Sequence, residues 1–186
     1  MTLYDFALFV HIVGSLLLTA AFTAEGVGLF HLRRATTGDS VRPWEGVASL
    51  ARVLGPASVV TILASGLYML VTSWGWVPWL AVGIFAWVAI AVLGAVNGIR
   101  MSVTVRQVLA GTSQSTSLRS RSFVVSWLTR LSIAVGIVFL MTNKPDLAPA
   151  LLAILAAAAI GVAAGVAVTR TENPAPVVGQ PGGAAR

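Results

Sequence analysis

The chain contains no cysteine, which excludes disulfides, thiolate metal sites, iron–sulfur clusters and cysteine nucleophiles together. Charge is scarce too: Asp, Glu, Lys and Arg make up 10% of residues, against about 25% in soluble domains, which need polar surface to face water. A water-soluble fold is therefore not expected. Lysine is almost missing, with Lys144 alone against eleven arginines, and histidine occurs only at His11 and His31. No P-loop, Ser–His–Asp arrangement or paired carboxylate is visible. Internal repeats are absent, as are the matching broken helices that mark many transporters. The N-terminus Met1-Thr2-Leu3-Tyr4-Asp5 has no basic region, and the apolar run after it exceeds the roughly 7–15 residues of a signal-peptide core. The first segment is expected to stay in the mature protein.

Hydrophobic residues are plentiful, at 57% of the 186. A spanning helix needs about 20 mostly apolar residues, and five stretches meet that length: 5–32, 53–74, 78–101, 123–142 and 147–169. Alternation over about ten residues, the mark of a barrel strand, is missing. The expected fold is all-α, a polytopic transmembrane bundle of five helices over residues 1–170. Its connectors would be a polar loop over 33–52, a tight aromatic turn at Gly75-Trp76-Val77, a Ser/Thr/Arg-rich loop over 100–122 and the turn Asn143-Lys144-Pro145-Asp146. Residues 171–186, with Pro174, Pro176 and Pro181, are expected to form a disordered cytoplasmic tail.

The net charge of +6 does not suggest nucleic acid, because the basic residues are scattered between apolar segments and do not form an aromatic-interleaved surface. They read as topology instead. Arg33, Arg34, Arg42 and Arg52 fall in the first connector, Arg100, Arg106, Arg119 and Arg121 in the third, and Arg170 and Arg186 in the tail; only Lys144 falls on the other side. The positive-inside rule then places the N-terminus out and the C-terminus in. Trp74, Trp76 and Trp79 flank the outer turn as an interfacial belt would. Arginine in place of lysine, with much Ala, Val and Gly, resembles the usage of a GC-rich bacterial genome, so the expected location is a bacterial inner membrane.

Three ionisable residues lie inside apolar segments: His11 and Glu25 in the first, Arg130 in the fourth. An intramembrane charge costs several kcal/mol, so such residues face the bundle interior and find partners. Glu25 and Arg130 each lie about seven residues from the basic end of their segments, roughly 10 Å deep at 1.5 Å per residue, and so match in depth and in sign. They are expected to form an intramembrane ion pair, either fixing register or handling a proton or ligand.

His11 lies toward the outer boundary, as do Met69 of the second segment and Met141 of the fourth. Imidazole with thioether suits Cu(I), and His with Met is an axial pair for haem iron. The alternative is a histidine bonded to a neighbouring helix among gap-filling methionines. His31 lies about 30 Å further along the same helix, so a bis-histidine haem within one protomer is excluded. It is expected to cap or snorkel at the cytoplasmic face. Gly94 with Gly98, and Gly161 with Gly165, have the GxxxG spacing that lets helices approach, within the bundle or between copies. Asn97 could bond across the third helix.

Phe9-Val10-His11-Ile12-Val13-Gly14 resembles the HxxG opening of small bacterial membrane proteins of the copper-resistance-D-like (CopD-like) superfamily, and Phe139-Leu140-Met141-Thr142-Asn143-Lys144-Pro145 adds to the likeness. Within that group the chain most resembles an uncharacterised integral membrane protein family, over its first four helices. The resemblance implies a compact helical bundle with His11 where relatives place a copper or haem ligand. A related branch, the membrane protoporphyrinogen oxidases, pairs such a histidine with haem. With one deep histidine and no intramembrane lysine, this chain inherits the fold from the resemblance and not the reaction.

The function expected is therefore that of a small integral membrane protein binding a ligand or partner in its bundle, with copper or haem near the outer face. An accessory subunit of a larger membrane complex is the alternative, and a membrane redox or porphyrin enzyme a third. Expected partners are the lipid bilayer and a second copy or a larger assembly.

Overall fold

The computed structural model describes residues 2–171; the expected tail lies outside them, apart from Thr171. Five helices follow in order: α1 Leu3–Arg34, α2 Gly38–Met69, α3 Pro78–Leu109, α4 Arg121–Asn143 and α5 Leu147–Thr171. A π-helical turn, Leu70–Trp74, closes α2, and a 3₁₀ turn, Ser115–Arg119, leads into α4. All five are long and apolar enough to cross a membrane, and no strand occurs among the described residues. The chain is thus a multi-pass helical membrane protein.

Start signals explain the boundaries. Thr2 and Thr37 each cap a helix with their side chains, in reciprocal boxes with Asp5 and Ser40. Pro78 occupies the first turn of α3, where its missing N–H costs nothing. Lys144 adopts a left-handed conformation (φ 48°) after α4, where it ends the helix.

Two connectors expected to be loops are helical. α2 begins at Gly38, not near 53, and α3 runs on to Leu109, past 101. The physical reason is amphipathicity beyond the apolar slab. Val41, Trp44 and Ala48 recur at helical spacing, as do Met101, Val105 and Val108. Together with Leu29, Leu32, Ala35, Leu118, Phe123 and Val124 they form a separate small core at the arginine-rich end. Helices of 32 residues span about 48 Å, well beyond the roughly 30 Å of a hydrocarbon core. His31 does not simply cap or snorkel in this region: its ring stacks on Trp44 at 3.5 Å between centroids.

α1 and α2 pack as a close antiparallel pair along a stripe of small residues. Ala7, Gly14, Ala21, Gly28 and Ala35 recur every seven positions, and all are buried. A Cβ on Gly14 would stand 2.9 Å from Ile62 Cγ1, and one on Gly28 2.9 Å from Ala48 Cβ. Both contacts join residues whose numbers sum to 76, which sets one register along the pair. α4 and α5 form a second close pair. Cβ atoms at Gly161 and Gly165 would lie 2.5 Å and 2.6 Å from the Cα atoms of Thr129 and Val125, so this GxxxG stripe joins two helices of the same chain.

Gly94 and Gly98 differ from the packing role expected of them. A Cβ at Gly94 would meet not a helix backbone but the Arg130 guanidinium, at 3.2 Å from Nη1, and one at Gly98 would meet nothing within 4 Å. α3 rests mainly on α4 and touches α2 more loosely. The space left between the α1–α2 pair and the α3–α4 side holds two cavities.

Candidate functional site

The first cavity has a volume of about 530 Å³ and lies among α1, α2, α3 and α4. Its wall is mostly apolar, with Phe22, Trp87, Trp127 and Leu131 among the larger side chains. His11 and Met141 both line it. Met69 does not: it is buried, and the α1–α2 register carries it to the level of Ala7, in the seam between the two helices. Among the expected soft donors, then, the structure brings His11 and Met141 to one cavity and leaves Met69 out.

His11 is oriented by α2. Its ring lies against Gly66, where a Cβ would stand 3.2 Å from Cε1. Nδ1 is 3.2 Å from Ser65 Oγ, and that hydroxyl lies 2.6 Å from the Thr61 carbonyl oxygen. A hydroxyl has one proton to give. Ser65 gives it to Thr61, so toward the histidine it accepts, and neutral His11 carries its proton on Nδ1. The lone pair stays on Nε2, the form in which imidazole binds a metal. Met141 packs over Gly83 of α3, whose Cβ position is 3.8 Å from the methionine Cε. No cluster of three or more His, Cys, Asp or Glu occurs among the described residues, so a hard-cation cage is not formed by these side chains.

The second cavity, of about 540 Å³, begins where Ala21 and Gly55, both too small to fill the α1–α2 seam, line its wall. Glu25 and Arg130 line it as well, and they meet as an ion pair between Arg130 Nη2 and Glu25 Oε1. Asn97 of α3 donates to the same oxygen at 3.0 Å. The carboxylate is thus held by α3 and α4 together, with Arg130 almost fully buried and Glu25 partly so. Arg130 also lies over the Phe22 ring, 5.5 Å from its centroid. Its Nε is buried without a hydrogen-bond partner among the described residues.

Trp127 lines the first cavity and braces α4 against α1. Its indole Nε1 donates to the Phe22 carbonyl at 3.0 Å, and its ring fills the space that a side chain at Gly26 would need. Leu18, Phe22 and Ile90 line both cavities.

Sequence reasoning missed Ser65, Trp127 and the Ala7–Gly14–Ala21–Gly28 stripe. The stripe had a signal, small residues at a seven-residue period; Ser65 and Trp127 had none beyond lying in apolar helices.

The fold and these interior spaces define a class: a multi-pass helical membrane protein with polar groups set into an apolar lumen. Comparison with known protein families, curated proteins and solved structures finds no match to the chain.

Proposed function

We propose that this protein binds a soft metal ion inside its bundle, with His11 Nε2 and Met141 Sδ as the protein donors and Cu(I) as the ion they suit. The observation that carries the reading is that an imidazole anchored through Nδ1 to Ser65 and a thioether line one apolar cavity. Softness decides the choice of ion: one nitrogen and one sulfur, without carboxylates, favour a monovalent soft cation over Zn²⁺, Mg²⁺ or Ca²⁺. Haem is the second ligand these donors suit, as an axial His and Met. The resemblance to the copper-resistance-D-like superfamily supports the same position for His11.

In this reading the protein lies in a bacterial inner membrane with its N-terminus out, its arginine-rich loops in the cytoplasm and the metal toward the outer face. In this reading it works by holding a ligand within the bundle.

Purification in mild detergent, with elemental analysis and an optical spectrum, tests the proposal. Copper near one equivalent without a Soret band is expected, and its loss in a folded His11→Ala variant. A Soret band with iron would replace copper by haem. A folded protein with neither, after loading with Cu(I) under reducing conditions, would overturn both.

A further inference from the structure

The second cavity has an opening and a charge order that the ion pair at its floor does not explain. Ile99 of α3 lines it and is 64% exposed, and Arg52 and Pro56 of α2 line it and are exposed too, so it reaches the surface sideways, between α2 and α3. In a membrane helix bundle that surface faces lipid. Small residues hold the gap open: Gly55 on one side, Gly94 and Gly98 on the other. Pro56 lacks an N–H, so the Arg52 carbonyl at the same edge loses its helical donor.

Two charged side chains line this cavity besides the Glu25–Arg130 pair: Glu45 and Arg52, both on α2. Neither makes an ion pair among the described residues. They are seven residues apart, which puts them on one face of the helix and about 10 Å apart along it. The α1–α2 register sets Arg52 at the depth of Ala24, beside the ion pair, and Glu45 at the depth of His31, nearer the arginine-rich end. From the membrane interior outward the order is therefore a cation, then an anion. At the inner end the lining turns apolar, through Leu18, Phe22 and Ile90, which also line the first cavity.

We propose that this cavity holds one zwitterionic glycerophospholipid, entering between α2 and α3, with its phosphate at Arg52, its ammonium at Glu45 and an acyl chain lying along Phe22 and Ile90. The charge order matches the headgroup, in which the phosphate lies deeper than the ammonium. An anionic lipid would satisfy Arg52 and be repelled by Glu45. A small soluble ligand would leave the apolar inner half unfilled. The Glu25–Arg130 pair is neutral as a unit and leaves the choice to Arg52 and Glu45. The proposal does not depend on metal at His11, nor on which side of the membrane the loops occupy.

Native mass spectrometry of the full chain released from nanodiscs tests it, with equal amounts of phosphatidylethanolamine and phosphatidylglycerol offered. One retained phosphatidylethanolamine per chain is expected, favoured at least tenfold over phosphatidylglycerol. Arg52→Gln should weaken retention about tenfold, and Glu45→Gln should remove the preference while keeping the lipid. Gly98→Phe, which places a ring where a Cβ meets nothing within 4 Å, should abolish retention without changing the melting temperature appreciably. Should Gly98→Phe fail to fold, Gly98→Leu makes the same test with less bulk. Equal retention of both lipids by the unaltered chain, retention unaffected by Arg52→Gln, or no bound lipid at all would each overturn the proposal.

Discussion

Glu25 on α1 and Arg130 on α4 are 105 positions apart in the chain and share one ion pair inside the bundle, with Asn97 of α3 donating to the same carboxylate oxygen at 3.0 Å. Three helices are therefore tied at one depth by a single oxygen. Breaking such a pair from one side leaves a charge in a medium that cannot solvate it, whereas removing both leaves none.

Glu25→Ala and Arg130→Ala should each destabilise the bundle by roughly 3 kcal/mol, and the double variant by clearly less than the sum. Reversible unfolding in mixed micelles measures all three. An additive double variant would mean that the two charges are stabilised separately.

The glycines should divide by what faces them. Gly161→Ala and Gly165→Ala force a methyl against the α4 backbone, and each should cost about 1–3 kcal/mol or more, because two helix axes must separate. Gly98→Ala meets open space and should change stability by no more than about 0.5 kcal/mol. Thermal unfolding of the three variants in one detergent makes the comparison, and equal losses would contradict the α4–α5 packing.

Ser65→Ala tests the orientation of His11 rather than its presence. Without the acceptor at 3.2 Å the ring can turn, and copper affinity should fall about 10–100-fold while the helices stay folded. Competition against a Cu(I) chelator reads this. Affinity unchanged in Ser65→Ala but lost in His11→Ala would leave His11 a ligand without its α2 support.

The expected topology, N-terminus out and C-terminus in, rests on the ten basic residues that the sequence puts in the first connector, the third connector and the tail, against Lys144 alone. A C-terminal fluorescent reporter active only in the cytoplasm should light up, and a C-terminal periplasmic phosphatase fusion should stay inactive. The reverse pattern would invert the bundle.

Much of this protein could be read from its sequence, because hydrophobic length is a local property: 20 apolar residues need no neighbour to declare that they cross a bilayer. The five helices and the matched depth of Glu25 and Arg130 are of this kind. What a side chain faces is not local, since a rotation about the helix axis, set by the neighbours, carries Met141 to the cavity that His11 lines and Met69 into the seam opposite Ala7. Likewise Gly94–Gly98 and Gly161–Gly165 share one spacing, yet one pair borders a lumen and the other locks two helices, because only the second has a backbone lying across it. Hydropathy also stops at the edge of the slab, so it missed residues 38–52, whose helix is held by a core assembled from α1, α3 and the turn before α4. Composition determined that the chain enters the membrane; the packing of small residues decided where the bundle closes and where it stays open.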